Sequence, residues 1–232
     1  MATALAPLAK PRLRLTLIIV LLILLIVPSG YLWLNPYLDA ASVLLRVSDP
    51  QSNDWLARHD TNPITISDTE IQTPAGVVRG RIYLPVGVSN PPAMVVLHGV
   101  HHLGIDEPRL VNFSRALSMH GVLVMTPELT DLADYHVELS SIDVIGWAAR
   151  DLKARTGATS VAVLGLSFAG GLALVAAAEP RYRDDISVVI SIGGYDSLPR
   201  VLRFFAANTI EEPNGAAVPM QAHEYGILVV VA

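Results

Sequence analysis

Four short, almost wholly apolar stretches constrain the fold of this chain more than any other feature: Ala93–Leu97, Val122–Met125, Val161–Leu164 and Ile186–Ile192. A strand with one solvated face alternates apolar and polar residues. Strands apolar on both faces belong to a parallel sheet covered by helices. The intervening segments have helical spacing: Pro108 to His120; Ser140 to Thr156, with Ile142, Ile145, Ala149 and Leu152 on one face; and Phe168 to Glu179, stopped by Pro180. Strand and helix alternate, which predicts an α/β core from about residue 63 onward.

Ahead of that core, Ile64–Ile71 and Val77–Leu84 do alternate, and Pro74-Ala75-Gly76 separates them. This pattern predicts an antiparallel hairpin with a solvated face. After the last apolar strand, Leu198 to Ala207 has helical spacing and Glu211 to Gly215 has loop composition. The final run, Ile227 to Ala232, fits a strand or the first turns of a helix equally well.

The N-terminus sets the environment. From Leu15 to Leu38 there are 24 consecutive uncharged residues, and about 20 apolar residues span a bilayer as a helix. Lys10, Arg12 and Arg14 precede the run while Arg46 is the only base soon after it, so the positive-inside bias predicts a cytoplasmic N-terminus and an exported body. Tyr31 and Trp33 suit the far interface. A signal peptide cleaved near Val27-Pro28-Ser29 is the rival, with an exported soluble product. Residues 37–47 have the spacing of a short amphipathic helix, and Ser48 to Asp54 breaks it as a linker.

Composition removes several function classes. Beyond the three early bases, 13 Lys and Arg face 21 Asp and Glu, so the body is acidic and lacks the dense basic patch that nucleic acid requires. The absence of Cys excludes disulfide frameworks, thiolate zinc sites and Cys nucleophiles.

Two motifs carry chemistry. Val163-Leu164-Gly165-Leu166-Ser167-Phe168-Ala169-Gly170-Gly171 places a serine between a buried strand and a helix, in the form of a nucleophile elbow. The sharp turn needs small residues two before and two after the serine, and Gly165 and Ala169 supply them. A dinucleotide fingerprint would need Gly at Ser167, and a P-loop would need Lys at Gly171. The second motif, Val95-Val96-Leu97-His98-Gly99-Val100-His101-His102, ends a buried strand in His-Gly about 70 residues before the serine.

With these two motifs in this order, the chain from about Ile64 to Tyr195 resembles the α/β-hydrolase superfamily. It looks most like bacterial membrane-anchored or exported members that read His-Gly-Val-His-His-Leu-Gly after the third strand and Gly-Gly-Tyr-Asp after the sixth. The resemblance implies a serine hydrolase cleaving an ester or related acyl bond, with Ser167 as nucleophile. It also implies an oxyanion hole from the backbone N–H groups of Val100, or His101, and of Phe168, with no cofactor required. The partners it implies are a small-molecule or lipid-like acyl substrate and, through the N-terminal helix, the membrane. His98, His101 and His102 are candidates for the substrate mouth; His98 more readily stabilises the turn than acts as base. A non-catalytic, membrane-bound binding protein of the same fold is the alternative.

The superfamily orders its triad Ser, acid, His. Only His223 follows Ser167, and Asp196, in Gly193-Gly194-Tyr195-Asp196, occupies a place that some members use for the acid. The simpler readings are that Asp196 caps the helix starting near Leu198 and that His223 is a surface residue. The reading preferred from sequence is an α/β-hydrolase fold incomplete at its C-terminus, with acid and base beyond Ala232. Its organisation is then a basic segment (1–14), an anchor or signal peptide (15–36), a helix and linker (37–62), the hydrolase core (63–196), and the start of a cap or incomplete C-terminal part (197–232).

No metal site is expected. His101 and His102 should point apart, and Asp131, Asp134 and His136 are expected in a solvated loop. Asp106 and Glu107 are expected to serve the dipole of the helix they open, next to Arg109.

Overall fold

The computed structural model describes residues 11–222 and 226–231; Lys10 and His223 lie outside them. Helix α1 (Pro11–Ser48) leads to strand β1 (Ile64–Thr73), β2 (Gly76–Pro85) and β3 (Ala93–Leu97). Helix α2 (Pro108–Met119), β4 (Leu123–Pro127), α3 (Thr130–Ala133), α4 (Ser140–Thr156), β5 (Val161–Leu166), α5 (Phe168–Ala178) and β6 (Ile186–Ile192) follow. Helix α6 (Leu198–Ala207), β7 (Thr209–Glu211), β8 (Ala217–Pro219) and α7 (Gly226–Val231) complete the described chain.

Six strands form one sheet in the order β1-β2-β4-β3-β5-β6. The hairpin β1–β2 is antiparallel, β2 joins β4 antiparallel, and β4, β3, β5 and β6 are mutually parallel. Because successive residues of a strand point to opposite faces, β3 feeds two cores. Val96 packs with Tyr83, Ile105, Leu110, Val124 and Leu164 beneath α2. Val95 and Leu97 pack with Met125, Ile145, Val163 and Leu172 beneath α4 and α5. The chain leaves β3 for β4 on one side and returns across it to β5 on the other. In such sheets the crevice at the carboxyl ends of the strands where the order reverses is where ligands bind.

The structure differs from the sequence expectations at three places. First, α1 is one continuous helix where an anchor and a separate amphipathic helix were expected, and it keeps Pro28 and Pro36 inside. Its first part is long and apolar enough to cross a bilayer. Its last turns dock on the body: Ser42 Oγ donates to the Ala57 carbonyl (3.2 Å), Arg46 Nε to the same carbonyl (2.7 Å), and His59 Nε2 meets Asn35 Oδ1 (3.0 Å). These bonds extend the helix beyond the apolar run. Second, the supposed loop at Asp131 contains a helical turn, because Leu129 and Leu132 are both fully buried. Third, the expected loop at Glu211–Gly215 begins in strand β7 and turns into a small antiparallel hairpin, β7–β8, rather than being a free loop. The last apolar run, for which strand and helix were both open, is helical through Val231.

Strand β6 is the sheet's edge. Although its sequence is as apolar as that of its neighbours, Val188, Ile190 and Ile192 are exposed.

Candidate active site

Ser167 lies between the end of β5 and the start of α5 with φ 54° and ψ −126°, a backbone conformation that a non-glycine residue adopts only when its surroundings enforce it. The enforcement is visible. The Ser167 N–H donates to the Ile192 carbonyl at the end of β6 (2.8 Å), and the Gly170 N–H donates to the Ser167 carbonyl (2.9 Å). A Cβ on Gly165 would lie 2.6 Å from both the Ala169 carbonyl carbon and the Gly170 nitrogen, so position 165 must be glycine for the chain to fold back so tightly. Ala169 is fully buried. Ser167 itself is half-buried.

Pairing of β3 with β5 places the loop after β3 against this turn: a Cβ on Gly99 would lie 3.2 Å from Ser167 Cβ. The loop holds a fixed shape. His98 is 2% exposed; its Nε2 accepts from the Leu129 N–H (2.9 Å), which puts the ring proton on Nδ1, where it donates to the Gly99 carbonyl (2.8 Å). Glu128 Oε2 accepts from the Ile105 N–H (3.3 Å), and Glu128 Oε1 lies 3.4 Å from His98 Nε2. Glu128 also closes on Gly104, whose φ is +48°. Asp106 does not serve the dipole of α2 as expected. Arg79 on β2 chelates it (2.7 and 3.2 Å) and Arg81 adds a third bond (2.8 Å). The Arg79 hydrogen bond, helped by Arg81, holds the Asp106 carboxyl below its ordinary range against mild desolvation.

Between loop and turn is a cleft of about 580 Å³ lined by His98, Gly99, Val100, His101, Glu107, Arg109, Leu110, Leu166 and Ser167. The backbone N–H groups of Val100 and Phe168, which flank it, enter none of the turn or loop backbone hydrogen bonds among the described residues. Glu107 caps α2: Oε2 accepts from the Leu110 N–H (2.9 Å) and Oε1 from Arg109 Nε (2.7 Å). Burial works to raise the Glu107 carboxyl, but these bonds outweigh it and hold it low.

The other predicted residues are dispersed. His101 lines the cleft and its Nδ1 accepts from the Leu103 N–H (3.2 Å), whereas His102 is exposed and outside the lining. Their rings stack, with centroids 4.7 Å apart, rather than pointing apart as expected; the two adjacent residues lie in a turn that brings them onto one side. Asp196 does not cap α6. Ser197 occupies that position, and Asp196 is exposed and paired with Arg200 (3.1 Å). It lines a different hollow, of about 840 Å³, between α6 and the β7–β8 hairpin. Asp131 bonds Ser140 Oγ, Asp134 is exposed, and His136 Nδ1 bonds the Asp134 carbonyl (2.9 Å). Sequence reasoning missed Glu128, Glu107 and Arg109 as neighbours of this site. Only the acid-rich helix start was visible for the last two, and nothing local marks Glu128.

No family model and no curated protein sequence matches the chain. Among solved structures, the chain is similar to the hyperthermophilic esterase from the archaeon Pyrobaculum calidifontis, at 20% identity over 75% of this chain and 56% of that one, with a TM-score of 0.50. The chain has the α/β-hydrolase fold. It is also similar to brefeldin A esterase, a bacterial homologue of human hormone-sensitive lipase (22% identity, 68% and 48% of the two chains, TM-score 0.49). A dienelactone hydrolase from Anabaena variabilis ATCC 29413 matches at 22% identity over 62% and 68%, with a TM-score of 0.49. The chain spans about half the length of the esterases it matches. In α/β-hydrolase terms, Ser167 stands at the elbow after the strand paired with the His-Gly strand, and the two loops share one cleft.

Proposed function

We propose that this α/β-hydrolase-fold chain is a membrane-anchored serine hydrolase cleaving a carboxylic ester or related acyl bond. The observation that carries the reading is the Ser167 backbone at positive φ, at the carboxyl edge of the sheet and against Gly99. Such a conformation costs on the order of 1–3 kcal/mol, persists only where the surroundings enforce it, and clusters at active sites.

Ser167 Oγ attacks the acyl carbon as its proton passes to a general base, and a C–O bond forms. The N–H groups of Val100 and Phe168 receive the negative oxygen of the tetrahedral intermediate. Collapse breaks the bond to the leaving alcohol, which takes the proton from the base. Water then attacks the acyl-enzyme, passes a proton through the base to Ser167, and frees the acid.

The base is not His98 or His101. In the neutral ring each has a single lone pair, and backbone N–H groups already use both. Asp196 is drawn to Arg200 and away from the Ser167 cleft. None of His98, His101 and Asp196 then serves Ser167 as base or acid, and His223 lies outside the described residues. Helix α1 anchors the protein with the basic N-terminus in the cytoplasm and the catalytic body on the outer face.

The test is hydrolysis of short p-nitrophenyl esters by the detergent-solubilised protein. Ser167→Ala should lower kcat by about a thousandfold or more while the variant keeps its thermal transition. Equal turnover in both proteins would reject Ser167 as nucleophile. Intact binding of an ester without turnover in either would favour the binding-protein alternative.

A further inference from the structure

The cleft beside Ser167 contains one feature that ester cleavage itself does not use. Its walls are apolar (Val100, Leu110, Leu166) or committed to backbone hydrogen bonds (His98, His101), and its two charged residues are not equivalent. The Glu107 side chain is 13% exposed, with one oxygen on the Leu110 N–H and the other on Arg109 Nε. The Arg109 side chain is 81% exposed. Its Nη1 and Nη2 make no ion pair or hydrogen bond among the described residues, and its Nε bond to Glu107 fixes the plane of the fork. One Glu107 oxygen is taken by the helix end and the other by Arg109 Nε, which leaves the two terminal nitrogens of the guanidinium as open charged donors on the cleft lining.

A guanidinium with both terminal nitrogens open matches a carboxylate bidentately. We infer that Arg109 is a specificity-determining residue that binds an anionic group, a carboxylate on the acyl chain, of a substrate seated on Ser167. The inference rests on the hydrolase reading, since it names the substrate class of the same cleft. The class is half-esters of dicarboxylic acids, in contrast to plain aliphatic esters.

Binding is measured separately from turnover, by ligand-observed NMR titration of the full chain in detergent. Monomethyl succinate, glutarate and adipate are each compared with the neutral methyl ester of equal length. The wild type should prefer at least one half-ester. Arg109→Gln should lower the ratio of half-ester to neutral-ester affinity by about tenfold or more, and Arg109→Lys should restore part of it. Glu107→Gln removes the competing carboxylate and should raise the ratio, which separates the arginine's own charge from unmasking of Glu107 when Arg109 is removed. No half-ester preference in the wild type, or the same ratio in Arg109→Gln, overturns the inference. Turnover distinguishes the two readings. Half-ester binding through Arg109 with no Ser167-dependent cleavage would defeat the hydrolase reading alone. Cleavage with no dependence on Arg109 would defeat this inference alone.

Discussion

At the scale of single residues, the turn at Ser167 depends on two glycines used in different ways. Gly165 is needed for backbone approach within the turn, and Gly99 for approach of the neighbouring loop. Gly165→Ala drives a methyl group into the Ala169 peptide, which has no flexible end to move aside. The variant should therefore be destabilised by about 1–3 kcal/mol, as at other overpacked sites, with a loss of ester turnover larger than the loss of folded protein. Denaturant unfolding alongside kinetics checks this; a fully stable and fully active Gly165→Ala would mean that the turn is not this tight. The G-x-S-x-A string was legible in the sequence because the steric need falls on residues within two positions of the serine. The roles of Glu107 and Arg109 were not, since a helix-opening Glu-Pro-Arg reads as capping whatever cleft it faces.

At the scale of elements, the loop after β3 is held by residues distant in sequence: Leu129, Glu128, Arg79 and Arg81. His98→Ala should leave the buried Leu129 N–H without an acceptor and cost about 1–3 kcal/mol of stability. It should retain measurable Ser167-dependent turnover with an unchanged pH profile, because His98 positions the loop and does not move a proton. Loss of the acid limb of that profile would make His98 the base instead. Strands β1 to β6 and the helices α2, α4, α5 and α6 were legible, since periodicity and punctuation are local; the short β7–β8 hairpin was not. The turn of α3 was not: Leu129 and Leu132 are too few to show a period and are buried in the core they share with α4. Helix α1 runs on past its apolar segment because Ser42 and Arg46 meet Ala57 across the returning chain, a contact that no local pattern announces.

At the scale of the whole molecule, charge pairs fasten the layers together. Asp185, ahead of β6, receives Arg150 Nε (2.9 Å) and Lys153 Nζ (2.7 Å) from α4. Burial pushes the Asp185 carboxyl up, but the two cations outweigh it and leave it below the ordinary carboxylate range. A carboxyl depressed on folding stabilises the protein while ionised, and the contribution is lost as pH falls from about 4 through the lowered value. Asp185→Asn should therefore lower the Tm at pH 7 and flatten its decline on acidification below pH 4. An unchanged slope would show that this link contributes nothing. Strand β6, by contrast, is apolar in sequence like a covered strand and yet exposed, because its sequence specifies its character but not its neighbours.

Treatment of the membrane-extracted protein with a fluorophosphonate, with the adduct mapped by peptide mass spectrometry, asks whether Ser167 of this α/β-hydrolase fold is an activated nucleophile. One adduct is expected, on Ser167, absent from Ser167→Ala and abolished by prior heat unfolding. A folded protein left unlabelled, or labelled at another residue, would contradict it.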